Sequence, residues 1–316
     1  MVGVGYGTAR RWAMAAMLAA VVGGIGFGSV EPAVPSGAAG PAVPGLFTEP
    51  VASGAPIRIP YGLAPDTFGD LYLPAGGPLS GSAGSCPVVV LIHGGGWSQY
   101  RNLSQFAEQA RQLAESGVAV WNIEYRRVNG AGGWPMTLTD ADDAIGALAT
   151  VVQARAGGRL DLGRVHLAGH SAGGQLAAWA AGRRTSGADG PQLLRIRSVT
   201  LMASVLDLDY AVAHGHDGFA RRLLGGLPAE VPDRYRYASP IANLPVGVHI
   251  TAIHGDRDSV VGVEQSRRYI DAARGAGDRT QLQILPDTGH TEFTNPNSAA
   301  WAAAREAILT QAGESA

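Results

Sequence analysis

A serine flanked by glycines is the first feature of this chain that indicates chemistry. Residues 165–174 are Val-His-Leu-Ala-Gly-His-Ser-Ala-Gly-Gly, an apolar run that ends in Gly-x-Ser-x-Gly with Ser171 at its centre. A helix-forming stretch follows, so the motif has the strand–turn–helix context of a nucleophile elbow. Gly169 and Gly173 leave room for the sharp turn. Because the chain contains 45 glycines, the motif alone does not separate a catalytic serine from a chance match.

A run of three glycines earlier in the chain could supply a second part of such a site. His93-Gly94-Gly95-Gly96-Trp97 directly follows a predicted core strand. Backbone amides in such a loop can donate to a developing oxyanion. The amide of the residue after the nucleophile usually donates to the same oxygen. We therefore expect an oxyanion hole built from Gly95, Gly96 and Ala172. His93 is interpreted as a residue that holds the loop, and the alternative is a flexible glycine loop without a catalytic role.

A nucleophilic serine also needs a histidine base. His290 falls in the loop after the last predicted strand, where its side chain can reach the carboxyl ends of the strands. The other histidines have simpler interpretations, because they cap or line strands, lie within the elbow, or fall in a predicted lid. They are His254, which caps a strand, His166 and His249 in or beside strands, His170 in the elbow, and His214 and His216 in the lid. The sequence therefore favours His290.

The base needs a carboxylate that orients it. Two candidates follow one strand in the segment His-Gly-Asp-Arg-Asp-Ser-Val-Val, residues 254–261. Asp258 is preferred because it falls at the turn into the next helix, and Asp256 remains the alternative. The resulting chain order, Ser171, Asp258 and His290, is the order in which a nucleophile-elbow fold presents its triad.

Apolar runs alternate with helix-forming segments from about residue 55 onward. Strands are predicted at 57–59, 68–73, 88–92, 118–125, in the run before Ser171, and at 197–203, 248–254 and 280–285. Helices are predicted at 104–116, 139–156, from Ser171 to about 183, and at 262–274 and 298–311. This alternation predicts an α/β fold: a doubly wound, mostly parallel sheet with helices on both faces and its ligand site at the carboxyl ends of the strands.

Smaller signals set the expected helix ends and a lid. Ser104 is predicted to cap the first helix and Gly117 to stop it. The second helix is predicted to open with an acidic first turn of Asp140, Asp142 and Asp143. Residues 206–244 are expected to form a small irregular cap with one short helical piece at 219–224.

The N-terminal region has the composition of a targeting segment. Arg10 and Arg11 precede an uninterrupted apolar run at 12–27, which predicts a secretory signal peptide within residues 1–30. The alternative is an uncleaved membrane anchor. Residues 31–54 are rich in Pro, Ala and Gly and predict a disordered linker. We therefore expect an exported protein, with membrane anchoring as the alternative, and a catalytic domain at 55–316.

Composition excludes several classes of function. The net charge is −2, which gives no electrostatic basis for binding nucleic acid or an anionic membrane surface. The sequence contains no lysine, which excludes a Walker-type phosphate loop and a lysine Schiff base. Its one cysteine, Cys86, excludes an intramolecular disulfide and a cysteine-rich metal site, and we interpret it as a partly buried small residue.

The chain resembles the α/β-hydrolases over about residues 55–312. The resemblance rests on the His-Gly-Gly-Gly-Trp loop at 93–97, on Gly-His-Ser-Ala-Gly-Gly at 169–174, and on Tyr-Ala-Ser-Pro-Ile at 237–241 ahead of residues 254–261. Within that fold it is similar to the kynurenine formamidase-like and feruloyl-esterase-like carboxylesterases. By position the resemblance implies Ser171 as nucleophile, Asp258 as acid and His290 as base.

The resemblance also implies a reaction: hydrolysis of carboxylic esters or small formamides, without a cofactor or metal. Short-chain or small aromatic esters are the expected substrates; an arylformamidase is the alternative, and a peptidase or an inactive binding protein ranks lower. Trp97, Trp134 and the lid are the expected pocket. Related lipases of the hormone-sensitive type have Asp before the serine, where this chain has His170, which favours the formamidase-like branch. The predicted signal peptide in turn favours an exported esterase over a cytosolic formamidase.

Overall fold

A computed structural model describes residues 55–76, 85–186, 194–215 and 218–314 of the protein. The chain divides into two units, Met1–Glu49 and Pro50–Ala316, and every described residue lies in the second. The predicted targeting segment at 1–30, the predicted linker at 31–54 and His216 lie outside the described residues. Within the described part of the chain, none of the helices combines the length and the apolar character that a bilayer span requires.

The described residues contain one sheet of eight strands. In chain order the strands are β1 (Ile57–Pro60), β2 (Phe68–Tyr72), β3 (Cys86–Ile92), β4 (Ala119–Ile123), β5 (Leu160–His170), β6 (Ile196–Met202), β7 (His249–Gly255) and β8 (Thr280–Leu285). Their order across the sheet is β1-β2-β4-β3-β5-β6-β7-β8. The pairs β1–β2 and β2–β4 are antiparallel, and all other neighbours are parallel. The expected mostly parallel sheet is confirmed.

The register of the parallel strands brings their carboxyl ends to one edge. Ile92 at the end of β3 pairs with Gly169 of β5, and His170 pairs with Met202 at the end of β6. On the far side, Gly255 of β7 pairs with Leu285 of β8. The loops that follow β3, β5, β7 and β8 therefore leave the sheet at the same edge, which is where a parallel sheet presents a ligand site.

Helices cover both faces of the sheet. They are α1 (Ala107–Glu115), α2 (Met136–Gly146), α3 (Val151–Arg155), α4 (Ala172–Ser186), α8 (Glu264–Gly275) and α9 (Ala299–Gly313), with the cap helices α5 to α7 between β6 and β7. Residues of β3 alternate between two hydrophobic cores, because successive side chains of a strand point to opposite faces. Val88 and Val90 join the core formed with α2, α4 and α8, whereas Val89 and Leu91 join the core formed with α1 and α9. The apolar run of β3 is thus buried on both faces, as expected.

The cap contains more helix than the sequence predicted. Besides α6 (Phe219–Leu224), it holds α5 (Leu208–His214) and α7 (Pro232–Ala238). The Asp207 carboxylate accepts a hydrogen bond from the amide of Tyr210 and so caps α5, and Pro232 stands in the first turn of α7, where its missing amide costs nothing. Each of these helices has seven residues, which is too short for a clear apolar period.

The predicted helix 139–156 is wrong in its start and its continuity. The structure has α2 beginning at Met136, a 3₁₀ turn at Ala147–Ala149, and a separate α3. Asp140 does not serve a first turn. Its buried carboxylate accepts from the backbone amide of Arg126 at 2.9 Å and from the guanidinium of that residue at 2.8 Å. Thr150, with φ −128° and ψ −102°, separates the two helices.

The predicted N-cap of the first helix is also wrong. A 3₁₀ turn at Leu103–Phe106 precedes α1, and its N-cap is Asn102 rather than Ser104. The Asn102 Oδ1 atom accepts from both the amide and the hydroxyl of Ser104, at 3.0 Å and 2.6 Å. Gly117, with φ +98°, follows the helix as expected.

Candidate active site

Ser171 lies at a sharp turn between β5 and α4. Its φ is +54°, a left-handed conformation that is strained for any residue other than glycine. The turn is held by backbone hydrogen bonds: the Ser171 amide donates to the Met202 carbonyl at 2.9 Å, and the Ser171 carbonyl accepts from Gly174. Ser171 is 5% exposed and lines a cavity at this edge of the sheet. The strand–turn–helix context predicted for this motif is therefore present.

Three glycines let the turn pack against its surroundings. A Cβ atom on Gly169 would lie 2.3 Å from the Gly173 carbonyl oxygen, and one on Gly173 would lie 2.2 Å from that of Ile92. A Cβ atom on Gly174 would lie 1.8 Å from the Ser204 hydroxyl oxygen. Real Cβ atoms do not approach other atoms so closely, so these positions admit only glycine without rearrangement. This packing brings the first residues of α4 beside the end of β3.

The end of β3 leads into the predicted oxyanion loop. Gly95 and Gly96 have φ values of +110° and +61°, which glycine adopts without strain. The Gly94 amide donates to Gln105 Oε1 at 3.1 Å. Within the described ranges, the amides of Gly95 and Gly96 and that of Ala172, the first residue of α4, donate to no other group. These are the three amides that the sequence analysis assigned to an oxyanion hole.

His93 holds this loop, in line with its interpretation from the sequence. One ring nitrogen, Nδ1, lies 2.8 Å from the Gly94 carbonyl oxygen, and the other, Nε2, lies 2.9 Å from Glu124 Oε1. The ring also stacks on Tyr125 at a centroid distance of 4.4 Å. Glu124 is buried and accepts from the Leu103 amide as well, so it ties the loop to the next segment of the chain. Sequence reasoning missed Glu124, because nothing in its local sequence signals this contact.

His290 and Asp258 form a direct pair. His290 Nδ1 lies 2.7 Å from Asp258 Oδ2. Since the carboxylate accepts there, Nδ1 carries a proton, and in the neutral ring the lone pair is then on Nε2. Asp256, the alternative acid, is exposed, and within the described residues its carboxylate has no histidine partner. His290 lines the same cavity as Ser171.

The Asp258 carboxylate is fully satisfied. Oδ1 accepts from the amides of Val260 and Val261, at 2.9 Å and 2.8 Å. Oδ2 accepts from His290 and also faces His254 Nε2 at 3.3 Å. Burial alone would raise the pKa of this carboxyl, but its interactions with His254, His290 and the Val261 amide outweigh burial and hold the pKa below its ordinary value. Asp258 is therefore ionised over the physiological pH range.

His170, next to the serine, also contacts His290. Its Nε2 donates to the His290 carbonyl oxygen at 3.0 Å, and the two rings lie 4.6 Å apart between centroids. Burial, with a smaller contribution from the neighbouring His290, lowers the pKa of His170 to about 3, so the ring is neutral. The residue before the nucleophile thus fixes the loop that carries His290. His170 was expected in the elbow, but no local sequence pattern indicates this contact.

The cavity in front of these residues has a volume of about 970 Å³. Gly95, Gly96 and Trp97 line it from one side, and Tyr210 and Phe219 of the cap line it from another. The cap was expected to contribute to the pocket, but these individual residues carry no local sequence signal.

The two tryptophans expected in the pocket have different positions. Trp97 lines the cavity but is 1% exposed, and its Nε1 donates to Gln175 Oε1 at 3.0 Å. Trp134 does not line the cavity, so that expectation is corrected. Its ring meets Tyr237 edge to face at 5.2 Å, and the Arg234 guanidinium lies over it at 6.0 Å. Trp134 therefore packs against residues of the cap.

The chain is similar to known esterases. The isoprenylcysteine alpha-carbonyl methylesterase of Arabidopsis thaliana is 27% identical over 250 residues, which cover 74% of this chain and 56% of that protein. Esterase LipC of Mycobacterium tuberculosis is 30% identical over 220 residues, which cover 65% of this chain and 52% of that protein. The chain therefore spans little more than half the length of these two relatives.

Similarity to solved structures identifies the fold. The truncated form of a carbohydrate esterase from gut microbiota superposes with a TM-score of 0.69 at 21% sequence identity, covering 84% of this chain and all of that one. The architecture is that of an α/β-hydrolase, as the sequence resemblance implied. At the level of sequence, a family model described as BD-FAE matches residues 70–272. Since this match spans more than half of the chain, the protein is a member of the BD-FAE family.

Proposed function

We propose that this protein is a serine hydrolase that cleaves small carboxylic esters, with short-chain or small aromatic acyl groups. In this proposal Ser171 is the nucleophile, His290 the general base and Asp258 the carboxylate that orients the base. The observation that carries it is the 2.7 Å pairing of His290 Nδ1 with Asp258 Oδ2 beside a cavity that Ser171 also lines. The pairing leaves His290 Nε2 as the proton acceptor, which is what a serine nucleophile requires.

The first half of the reaction forms an acyl-enzyme. His290 Nε2 takes the proton of the Ser171 hydroxyl as its oxygen attacks the ester carbonyl carbon. The tetrahedral intermediate then collapses, the alcohol oxygen leaves with the proton from His290, and the acyl group stays on Ser171. Asp258 remains ionised throughout and stabilises the imidazolium that forms on His290.

The carbonyl oxygen gains negative charge in this step and needs donors. The amides of Gly95, Gly96 and Ala172 are proposed to supply them, since they have no other acceptor in the described part of the chain. Ala172 is also the first residue of α4, so the positive end of the helix dipole favours the oxyanion. A lost donor of this kind costs about 10²- to 10³-fold in kcat.

The second half hydrolyses the acyl-enzyme. Water enters the vacated alcohol site, His290 takes its proton, and the resulting attack on the acyl carbon passes through the same oxyanion hole. The acid product then leaves and Ser171 regains its proton. A cavity of about 970 Å³ is large enough for a small ester with both of its halves bound.

The relatives favour esters over formamides. The two relatives compared above are named a methylesterase and an esterase, and the compared structure is named a carbohydrate esterase. His170, whose place before the serine resembles the formamidase-like branch, is explained by its contact with the His290 carbonyl oxygen and does not by itself call for a formamide substrate. Hydrolysis of esters is therefore the preferred activity, and the formamide remains a comparison substrate for the test.

The test measures turnover of p-nitrophenyl acetate and butyrate by the wild-type chain and by Ser171→Ala. We expect the substitution to lower kcat by at least about 10⁴-fold, because the acyl-enzyme can no longer form. Ser204→Ala is the matched control, since Ser204 is also buried and, within the described residues, its hydroxyl donates to the Gly169 and Met202 carbonyls. Undiminished ester turnover by folded Ser171→Ala, or faster turnover of an N-formyl aromatic amine than of either ester, would contradict the proposal.

We also propose that the enzyme is exported. The support is the pair Arg10-Arg11 followed by the apolar run at 12–27. Expression of the full chain followed by mass measurement of the extracellular protein checks this, because export with cleavage removes the apolar run. Retention of the intact N-terminus in a membrane fraction would favour the anchor instead.

A further inference from the structure

A second histidine lies on the carboxylate of Asp258. His254 stands near the end of β7, four residues before Asp258, and is completely buried. Its Nε2 lies 3.3 Å from Asp258 Oδ2, the same oxygen that His290 contacts at 2.7 Å. The proposed reaction does not use His254. A buried ring that shares the acid's oxygen with the base therefore needs its own explanation.

The contacts of His254 determine where its proton lies. Nε2 is 2.7 Å from the Val261 carbonyl oxygen and 3.3 Å from Asp258 Oδ2, and both of these groups only accept hydrogen bonds. Nε2 must therefore carry a proton, which it donates to the Val261 carbonyl, with Asp258 Oδ2 as a second, more distant acceptor. Nδ1 lies 2.7 Å from the buried Ser266 hydroxyl, which can donate to it. For a neutral ring these contacts favour the Nε2–H tautomer from both sides.

The same contacts hold the turn that carries Asp258. His254 reaches across the turn to the Val261 carbonyl, while the Val261 amide donates to Asp258 Oδ1. One side of the carboxylate is thus held by backbone amides, and the other by two imidazole rings. Without His254, Oδ2 would keep only His290 among the described residues, and the two amides on Oδ1 would have to hold the orientation of the carboxylate without a second contact on Oδ2.

We propose that His254 is a positioning residue: its Nε2–H holds Asp258 Oδ2 turned toward His290. This inference rests on the proposed function, because it assigns His254 a part in the orientation of the base. His254 does not touch substrate. Its contribution is expected in kcat, when the imidazolium forms, rather than in substrate binding.

Two substitutions of His254 separate this role from simple packing. His254→Asn can keep the contact with Ser266 at the Nδ1 position but cannot reach Asp258. His254→Gln extends an amide N–H to about the position of Nε2 and can restore the donor. With p-nitrophenyl acetate, we expect His254→Asn to lower kcat about 10- to 100-fold, the rate equivalent of one hydrogen bond to a charged group. We expect KM to change less than about threefold, and His254→Gln to recover most of the kcat.

His166→Asn is the matched control. His166 is also a buried strand histidine whose Nδ1 contacts a serine hydroxyl, that of Ser198 at 2.8 Å, but it lies on β5 away from the candidate site. This control should keep the wild-type kcat. Wild-type kcat in His254→Asn, a loss confined to KM, or equal losses in the Asn and Gln variants would overturn the inference. An active Ser171→Ala enzyme would instead overturn the proposed function itself.

A measurement on the wild-type chain covers the case in which both variants fail to fold. Long-range ¹H–¹⁵N NMR spectra of the histidine-labelled full chain distinguish the two neutral tautomers of each ring. We expect His254 to be protonated at Nε2. A ring protonated only at Nδ1 cannot donate to Asp258 and would overturn the inference without any substitution.

Discussion

Ser171 and Asp258 stand at the same edge of the sheet but are held there in different ways. Around Ser171 the fit is made by backbone: Gly173 lies so close to the end of β3 that a single added carbon would overlap two carbonyl oxygens. Around Asp258 the fit is made by polar contacts: hydrogen bonds from two backbone amides and from His290, and a longer contact of 3.3 Å with His254 Nε2. We refer to these as the nucleophile side and the acid–base side.

The difference determines how each side should fail. Backbone atoms at the end of a parallel strand cannot move without disturbing the sheet, so a steric change on the nucleophile side acts on the fold. A hydrogen-bonded carboxylate can lose one partner while the backbone of its loop stays in place. A polar substitution on the acid–base side is therefore expected to change the reaction rate more than the stability of the fold. The predictions below test this distinction.

The largest effect is expected from Gly173→Ala. The new Cβ atom would lie 2.2 Å from the Ile92 carbonyl oxygen and 2.3 Å from that of His93. Both are backbone atoms at the end of β3, which pairs with β4 and β5. We expect the free energy of unfolding to fall by more than about 4 kcal/mol, or the protein to fail to fold, as measured by urea denaturation followed by circular dichroism.

The control for this change lies in the same helix. A Cβ atom on Gly182 of α4 would meet the Asn243 carbonyl oxygen at 3.5 Å, an ordinary contact. Gly182→Ala should therefore fold, and could gain up to about 1 kcal/mol from the higher helix propensity of alanine. If Gly173→Ala were as stable as Gly182→Ala, the nucleophile side would not depend on close backbone packing.

The acid–base side should respond in its chemistry. Asp258→Asn replaces the carboxylate with an amide of the same shape, whose oxygen can still accept from the Val260 and Val261 amides. We expect a folded protein with kcat for p-nitrophenyl acetate lower by about 10⁴-fold, because the amide no longer stabilises the imidazolium of His290. Thermal unfolding monitored by circular dichroism, measured alongside the kinetics, checks that the loss is chemical.

Asp256→Asn is the companion variant. Asp256 is two residues away and exposed, so its substitution should leave kcat within about twofold of the wild type. A loss in Asp256→Asn comparable to that in Asp258→Asn would restore Asp256 as the acid. A loss below tenfold in Asp258→Asn would remove the carboxylate from the proposed mechanism.

The same contrast explains what sequence could predict. The nucleophile side is built from glycines and apolar runs, whose spacing is visible in the chain, so the elbow, the glycine loop and most of the sheet were located from sequence. The supports of the site are less visible in the sequence. Glu124 contacts His93 across 31 positions of the chain. His254 lies only four residues before Asp258, but no local pattern shows that its ring reaches the carboxylate.

The errors have the same origin. Asp140 was expected to open a helix, because three nearby carboxylates resemble an acidic first turn. It is instead buried against Arg126, a residue that precedes the helix by ten positions. Trp134 was expected in the pocket together with Trp97 and the lid. Its ring packs on Tyr237 of the cap instead, and a helix as short as α7 was not visible in the sequence.

The smallest expected effect concerns pH and the strand that carries Ser171. Burial first, and the charges of Arg164 and Arg197 second, lower the pKa of His166 on β5 to about 4 from an ordinary value of 6.5. The folded state therefore binds fewer protons than the unfolded state between these values. The contribution of the neutral His166 to the free energy of unfolding is therefore fully present above pH 6.5 and is lost as the pH falls toward 4.

His166→Asn should remove this part of the pH dependence. Urea titration of each protein at pH 7.5 and at pH 4.5 gives its loss of unfolding free energy over this range. We expect the loss to be about 2 to 3 kcal/mol larger for the wild type than for the variant. Asp258, with its pKa held below 3.8, keeps its charge over the same interval. Acid should thus weaken the nucleophile side before it neutralises the acid–base side. If the free energy of unfolding fell equally with pH in the two proteins, β5 would tolerate a charged His166.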